Sequence, residues 1–253
     1  MDKFIQDITR QAGEAVGKLF GKVGVHYSKE NPLDVVTKAD LKANQMLVDR
    51  IQKRYPKHGI ISEEQESINP GAEYCWIIDP IDGTLNFATH IPVFGVMVAL
   101  ARRGVVELAA IASPCQDELF FAQAGHGTFN NGKRVTCAVA TSLADGVGCV
   151  PSRLRPRHKK IFQYLFKAFE KNHFWLSMMG SCAITATSVA AGRKHWLISD
   201  GGKIWDYAAT ALILQEAGCK VTNFSGEPWT LKDTVMLAAN PVLHAKLLKM
   251  VKA

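Results

Sequence analysis

The sequence predicts a mixed protein in two halves, α+β up to about residue 142 and α/β beyond it, with a cleft between them. Three observations carry this expectation. Apolar residues recur at helical spacing near the start of the chain. Three short apolar segments separated by turn signals follow between Val93 and Phe121. Past residue 141 short strand-like runs alternate with amphipathic helical patterns. The 253 residues are enough for one large domain or two lobes, each burying its own core, and the expected lobes are 1–142 and 143–253.

In order, Phe4, Ile5, Ile8, Ala12, Ala15, Val16, Leu19 and Phe20 mark a helix over 2–20, ended by Gly21 and Gly24. Leu41, Ala43, Met46, Leu47, Val48 and Ile51 mark a second, with Asp40 at its N-terminal edge. Gly59-Ile60-Ile61-Ser62 and the run from Trp76 to Ile78 read as strands. Val93–Ala101, Val105–Ser113 and Glu118–Phe121 form a meander, continued through the Asn131-Gly132 turn into Arg134–Ala138. Val147–Val150 is a strand, followed by a basic loop and a helix over 160–171. Gly180-Ser181 opens a helix over Cys182–Ala191, rich in small residues. Trp196–Ile198 is a short strand, Asp206–Ala217 a helix closed by Gly218, and Val235–Ala239 a last strand. Asn240-Pro241 caps the final helix.

The balance of 47% hydrophobic and 21% charged residues is that of an ordinary globular protein. Asp2, Asp7 and Glu14 interrupt the first apolar pattern, so it does not read as a signal peptide, and no apolar run reaches the length of a membrane span. The expected location is the cytosol. Cys75, Cys115, Cys137, Cys149, Cys182 and Cys219 show no C-x-x-C pairing and read as reduced thiols. The eight histidines have no zinc-ligand spacing. A formal charge of +7 suits steering of anionic esters. The densest basic run, Arg153, Arg155, Arg157, His158, Lys159 and Lys160, reads as a solvated loop and helix start. With no zinc-finger spacing or RNA-recognition aromatic motif, nucleic acid is an unlikely partner.

The richest segment is Asp79-Pro80-Ile81-Asp82-Gly83-Thr84-Leu85-Asn86-Phe87. Two carboxylates flank a proline that fixes its own φ, followed by a glycine that admits close backbone approach. Carboxylate and carbonyl oxygens with a nearby hydroxyl suit Mg²⁺ together with a substrate phosphate. Alone, the segment reads equally well as a strand-to-helix turn with capping aspartates. Further acids stand at element boundaries: Asp40 after Val35-Val36-Thr37-Lys38-Ala39, Glu63 and Glu64 after Ser62, and Asp206 after Trp205.

These segments, in this order and spacing, together with Ala124–Lys133, resemble the inositol monophosphatase family from about Lys29 to Gly218. The resemblance implies a layered α-β-α-β-α sandwich of the sugar-phosphatase type, Mg²⁺-dependent hydrolysis of a phosphate monoester, lithium sensitivity and a homodimer. It implies two or three Mg²⁺ held by Glu63, Asp79, the Ile81 carbonyl, Asp82 and Asp206. Asp40 and Thr84 would activate the attacking water with help from Glu63. Gly83 and Thr84 would offer N–H groups to phosphate.

Gly180-Ser181-Cys182 aligns with the family's G-T-A, which contacts sugar hydroxyls. Where the family has a glutamate that bonds the inositol ring, this chain has Ser199, with Asp200 one position on, and Ala209 replaces a common glycine. Substrate contacts are therefore expected from Asp82, Gly83, Thr84, Gly180, Ser181, Cys182, Ser199, Asp200 and Asp206. Inositol-1-phosphate ranks first, ahead of histidinol phosphate, sugar bisphosphates and nucleotides. A regulatory homologue binding metal or RNA is the non-enzymatic alternative. Asp82-Gly83-Thr84 also echoes the haloacid-dehalogenase motif, but that chemistry needs acids at i and i+2, and position 80 is proline.

Overall fold

The computed structural model describes residues 1–29, 34–152, 158–170 and 173–252. Its helices are α1 (Asp2–Leu19), α2 (Lys38–Arg54), α3 (Thr84–Ala88), α4 (Lys159–Phe169), α5 (Cys182–Ala190), α6 (Ile204–Glu216) and α7 (Pro241–Lys252). Strands β1 (Val25–Ser28) and β2 (Val35–Thr37) pair as a small ribbon. A larger set comprises β3 (Gly59–Ser62), β4 (Gln65–Ile68), β5 (Tyr74–Asp82), β6 (Gly95–Arg102), β7 (Val105–Ser113), β8 (Glu118–Gln123), β9 (Gly127–Asn130) and β10 (Lys133–Val135). The rest are β11 (Val147–Cys149), β12 (Trp175–Ser177), β13 (Trp196–Asp200), β14 (Lys220–Thr222) and β15 (Val235–Ala239).

An eight-stranded sheet has the order β10-β9-β8-β7-β6-β5-β3-β4, and a five-stranded one the order β12-β11-β13-β15-β14. Both are mixed: β3 runs parallel to β5, and β11 parallel to β12 and β13, among otherwise antiparallel pairs.

Strand alternation sorts side chains into layers. Trp76, Ile78, Val96, Val98 and Leu100 face one side of the large sheet and pack against Ile5, Ile8 and Ala12 of α1 and Ala43, Leu47 and Ile51 of α2. Their neighbours Ile77, Met97 and Ala99 face the other side and meet Ala183, Ala186, Ala208 and Ala211 of α5 and α6. The same cluster takes in Leu197, Met236 and Ala238 from the small sheet, so α5 and α6 lie between the sheets. That position explains why both helices are apolar all round. Trp196, Ile198, Leu237 and Ala239 point the opposite way, onto Ile161 and Leu165 of α4 and Leu243 and Leu247 of α7. The order α-β-α-β-α follows, as expected.

Several boundaries shift for physical reasons. The run ending at Ile78 continues as strand to Asp82, passing Pro80 at a register slip between Asp79 and Asp82, where a missing N–H costs the ladder least. The strand expected over Arg134–Ala138 is only Lys133–Val135, while β13 extends to Asp200 and so carries Ser199 and Asp200. Strands β4, β12 and β14 were not foreseen; each is three or four residues long and partly exposed, so it lacks an apolar run. His158, read as part of a solvated run, is buried. Arg153, Arg155 and Arg157 lie outside the described residues. All six cysteines are free thiols. Among the described residues no helix is long and apolar enough to cross a membrane.

Candidate active site

The C-terminal end of β5 delivers Asp79 and Asp82 into the protein, 1% and 6% exposed. Gly83 follows in the left-handed region, φ +84°, and opens the short helix α3. A Cβ there would sit 2.9 Å from the Val93 carbonyl and 3.1 Å from Ser181 Cβ, so only glycine lets the two segments meet. Gly180 is also left-handed, φ +67°, and its missing side chain makes room for Asn86. Asn86 Nδ2 donates to the carbonyls of Val93 and Met179, both at 2.8 Å, tying α3 to the segment before α5.

Asp82 is the N-terminal acceptor of α5. It takes hydrogen bonds from the Ser181 hydroxyl, from Cys182 N–H at 3.0 Å and from Ala183 N–H at 2.9 Å. Ser181 Oγ in turn accepts from Ile184 N–H at 3.1 Å. The donors of Ser181 and Cys182 therefore serve Asp82, and Gly180 N–H serves Ser152 Oγ at 2.7 Å.

Asp206 stands in the first turn of α6 and returns its carboxylate to Lys203 N–H at 2.5 Å. Ligand atoms of Asp82, Cys182 and Asp206 lie within 4.8 Å of one another. Burial pushes Asp206 up from the ordinary 3.8 to about 7, with the Asp82 charge adding to the effect. Asp79 is raised well above the usual carboxylate range by burial and then by Glu63, Asp82, Asp206 and Asp40, and its Oδ1 is buried without a hydrogen-bond partner. Burial also raises Asp82, against the pull of its three donors. Five acids, from β5, the end of β3, α2 and α6, thus crowd one crevice.

Glu63 belongs to the same field. Burial raises it, Lys29 lowers it, and Glu64 and Asp82 raise it again. Lys29 Nζ bridges Glu63 at 2.9 Å and Glu64 at 2.7 Å. Burial opposes the lysine's charge, but the bond to Glu64 and the attraction of Glu63 outweigh it.

Asp40 is the N3 residue of a reciprocal cap on α2, one turn inside the helix rather than before it. Its Oδ2 accepts from Thr37 N–H at 2.8 Å and Thr37 Oγ1 at 2.5 Å. Thr84 Oγ1 lies 3.2 Å from Asp40 Oδ1 and 2.8 Å from the Ile81 carbonyl oxygen. Burial raises Asp40 to about 6, in spite of those hydrogen bonds.

Beyond the acids opens a cavity of about 290 Å³, lined by Asp82, Ser181, Cys182, Ser199, Asp200 and Asp206 among others. Ser199 Oγ shares a hydrogen bond with Tyr207 Oη at 2.8 Å, and Tyr207 Oη accepts from Gly202 N–H at 3.1 Å. Asp200 pairs with His158 Nε2 at 2.9 Å.

The chemistry of the donor set fits a hard cation. Carboxylates that raise one another's pKa, with one orphaned buried oxygen, gain most from a divalent ion. Cys182 does not belong to that set: burial and then the neighbouring acids push its thiol well above the usual range, keeping it protonated.

Lys29, His158 and Tyr207 were not expected here. Lys29 and His158 carried no local signal, since their partners lie more than thirty positions away. Tyr207 was visible beside Asp206 but read as helix core.

The crevice and the layered sandwich define a mixed α/β fold of the sugar-phosphatase type. The chain belongs to the inositol monophosphatase family, whose model matches residues 1–253. It is 34% identical over 245 residues to the inositol-1-monophosphatase of Mesorhizobium japonicum, covering 96% of this chain and 92% of that one. It is 33% identical over 244 residues to the fructose-1,6-bisphosphatase/inositol-1-monophosphatase of Thermotoga maritima, covering 96% and 93%. The structure of the extragenic suppressor protein suhB of Bartonella henselae superposes with a TM-score of 0.92 at 31% identity, over 99% of this chain and 97% of that one.

Proposed function

We propose that the protein hydrolyses a small phosphate monoester, inositol-1-phosphate first, with Mg²⁺ held by Glu63, Asp79, the Ile81 carbonyl, Asp82 and Asp206. The observation that carries this reading is the approach of Asp206 to Asp82, ligand atoms within 4.8 Å, in the electrostatic field of Asp79, whose buried Oδ1 has no hydrogen-bond partner. Two or three such ions would neutralise the phosphoryl oxygens and acidify water. In this reading 1–142 is the lobe that supplies most ligands and 143–253 the lobe that supplies Asp206 and the alcohol-side wall.

Thr84 and Asp40 prepare the nucleophile. The Thr84 hydroxyl has one proton, directed to Asp40 Oδ1 or the Ile81 carbonyl, and its lone pairs remain to accept from water. Asp40, raised to about 6, is poised to take that proton near neutrality. Thr37 holds the other Asp40 oxygen, fixing its orientation, and Glu63 assists. Gly83 and Thr84 face the phosphate. Gly180, Ser181, Cys182, Ser199 and Asp200 line the space for the alcohol.

The Thermotoga relative's name favours sugar bisphosphates as the second substrate class. The name of the Bartonella protein, an extragenic suppressor, favours a regulatory metal- or RNA-binding role as the non-catalytic alternative. A homodimer is supported by apolar side chains on and beside the edge strand β12, where Trp175 is 78% exposed with Phe166, Phe169 and Leu176 nearby in sequence. Size-exclusion chromatography with light scattering decides that point. Free cysteines fit a reducing cytosol. Lithium sensitivity extends the same carboxylate site to a competing small cation.

The test is phosphate release from a panel of esters with Mg²⁺, repeated in EDTA. Metal-dependent release led by inositol-1-phosphate supports the reading. No release from any ester, or a phosphorylated Asp79, overturns it.

A further inference from the structure

Two cysteines that the phosphatase chemistry does not use are held together by the fold. Cys137 lies just after β10, in the connector between the two sheets. Cys219 lies between α6 and β14. The backbone joins them: Cys137 N–H donates to the Ala217 carbonyl at 2.8 Å. A Cβ placed on Gly218 would stand only 3.8 Å from Cys137 Sγ. Cys137 packs against the buried cluster that contains Cys219, close enough for each thiol to shift the acidity of the other.

We propose that Cys137 and Cys219 form a reversible oxidation site, with Cys137 the thiol that meets a hydroperoxide and Cys219 the thiol that resolves it. Exposure divides the roles: Cys137 is half-buried and open to a small oxidant, while Cys219 is 7% exposed and held in reserve. The neighbouring Cys219 side chain brings Cys137 down to about 7, against the effect of burial. By contrast, burial pushes Cys75 and Cys149 up to about 11, which makes them poor nucleophiles.

The steps balance. The Cys137 thiolate attacks one oxygen of the hydroperoxide and the O–O bond breaks. Sulfur loses two electrons to become a sulfenic acid, and the other oxygen leaves as an alcohol or water after taking up a proton. Cys219 sulfur then attacks Cys137 sulfur, the S–O bond breaks, and the hydroxyl leaves as water with the Cys219 proton. Two thiols and one hydroperoxide give one disulfide, one alcohol or water, and one further water. A thiol reductant reverses the link by exchange.

The disulfide would tie the inter-sheet connector to the end of the helix that carries Asp206. It closes a long loop, from 137 to 219, and the linked form should melt several degrees higher.

The experiment treats the full chain with one equivalent of hydrogen peroxide, alkylates remaining thiols and maps peptides by mass. The expected result is loss of two hydrogens, four alkylated cysteines instead of six, and a Cys137–Cys219 peptide that dithiothreitol removes. Cys219→Ser should stop at a sulfenic acid on Cys137, trapped by dimedone. Cys115→Ser should leave the link intact. Oxidation centred on Cys115 with Cys137 still alkylated, or over-oxidation of Cys137 without a link, overturns the proposal. The readout is mass rather than turnover, so it stands apart from the phosphatase reading.

Discussion

Asp82 and Ser181, 99 positions apart in the chain, share a hydrogen bond that joins the end of β5 to the start of α5. Cys182 and Ala183 add their N–H groups, so this carboxylate does two jobs at once. It caps a helix buried between two sheets, and it belongs to an acidic crevice that attracts a cation.

That double role separates two otherwise equivalent substitutions. Asp206→Asn keeps an oxygen for Lys203 N–H and removes a repelling charge. It should abolish turnover, by at least ~10³-fold, while its melting point in EDTA at pH 8 holds or rises. Asp82→Asn should abolish turnover equally. Its NH2 replaces one accepting oxygen and faces one or two of the three donors, and so should cost about 1–2 kcal/mol of stability as well. Paired assays and melts check this, and full activity in either variant removes that residue from the mechanism.

The carboxylates also set a pH dependence with a definite sign. Asp206 moves from 3.8 when unfolded to about 7 when folded, so between those values the folded state binds more protons. Its stabilisation is complete below 3.8 and lost as pH rises through 7. His244 opposes this at lower pH, since burial lowers it from 6.5 to about 4 and its contribution is complete only above 6.5. Cys137, lowered from 9.0 to about 7, also works the other way above neutrality, so the clean window is pH 6.5–8 in the Cys137→Ser variant. There the metal-free protein should lose stability with rising pH, and the increment from Mg²⁺ should grow, because binding displaces protons. Melting curves with and without EDTA test it; an increment that shrinks with pH refutes the shared-site picture.

Lys29 offers a third test. Its ammonium occupies one oxygen of each of Glu63 and Glu64, the former a proposed metal ligand. A cation arriving at Glu63 meets a group already paired. Lys29→Gln should lower the Mg²⁺ concentration for half-activation several-fold. It should also cost on the order of 1 kcal/mol in EDTA, where two carboxylates lose their partner. An unchanged half-activation concentration would show that Lys29 does not compete.

Much of the fold was legible because burial writes itself into the sequence. The apolar run ending at Ile78 marked the sheet rim, and the small-residue run from Cys182 and the apolar run after Asp206 marked the two helices that the structure buries between the sheets. Strands β4, β12 and β14 escaped because edge strands bury too little to leave a pattern. In the site, Asp79, Asp82 and Asp206 were marked by local motifs. The Lys29 bridge and the His158–Asp200 pair were not, since each depends on residues brought together only by the finished packing.

The alcohol-side wall gives the last prediction. Tyr207 Oη accepts from Gly202 N–H and shares one hydrogen bond with Ser199, so the two hydroxyls on this wall engage each other. Tyr207→Phe removes that oxygen, frees Ser199 to meet a substrate hydroxyl and leaves Gly202 N–H without its acceptor. Tyr207 touches none of the proposed metal ligands through its hydroxyl, so kcat should change less than threefold, roughly the spread of an indirect effect. KM for inositol-1-phosphate should move relative to KM for an ester without ring hydroxyls, such as p-nitrophenyl phosphate. Equal shifts for both esters would mean that the ring is not bound against this wall.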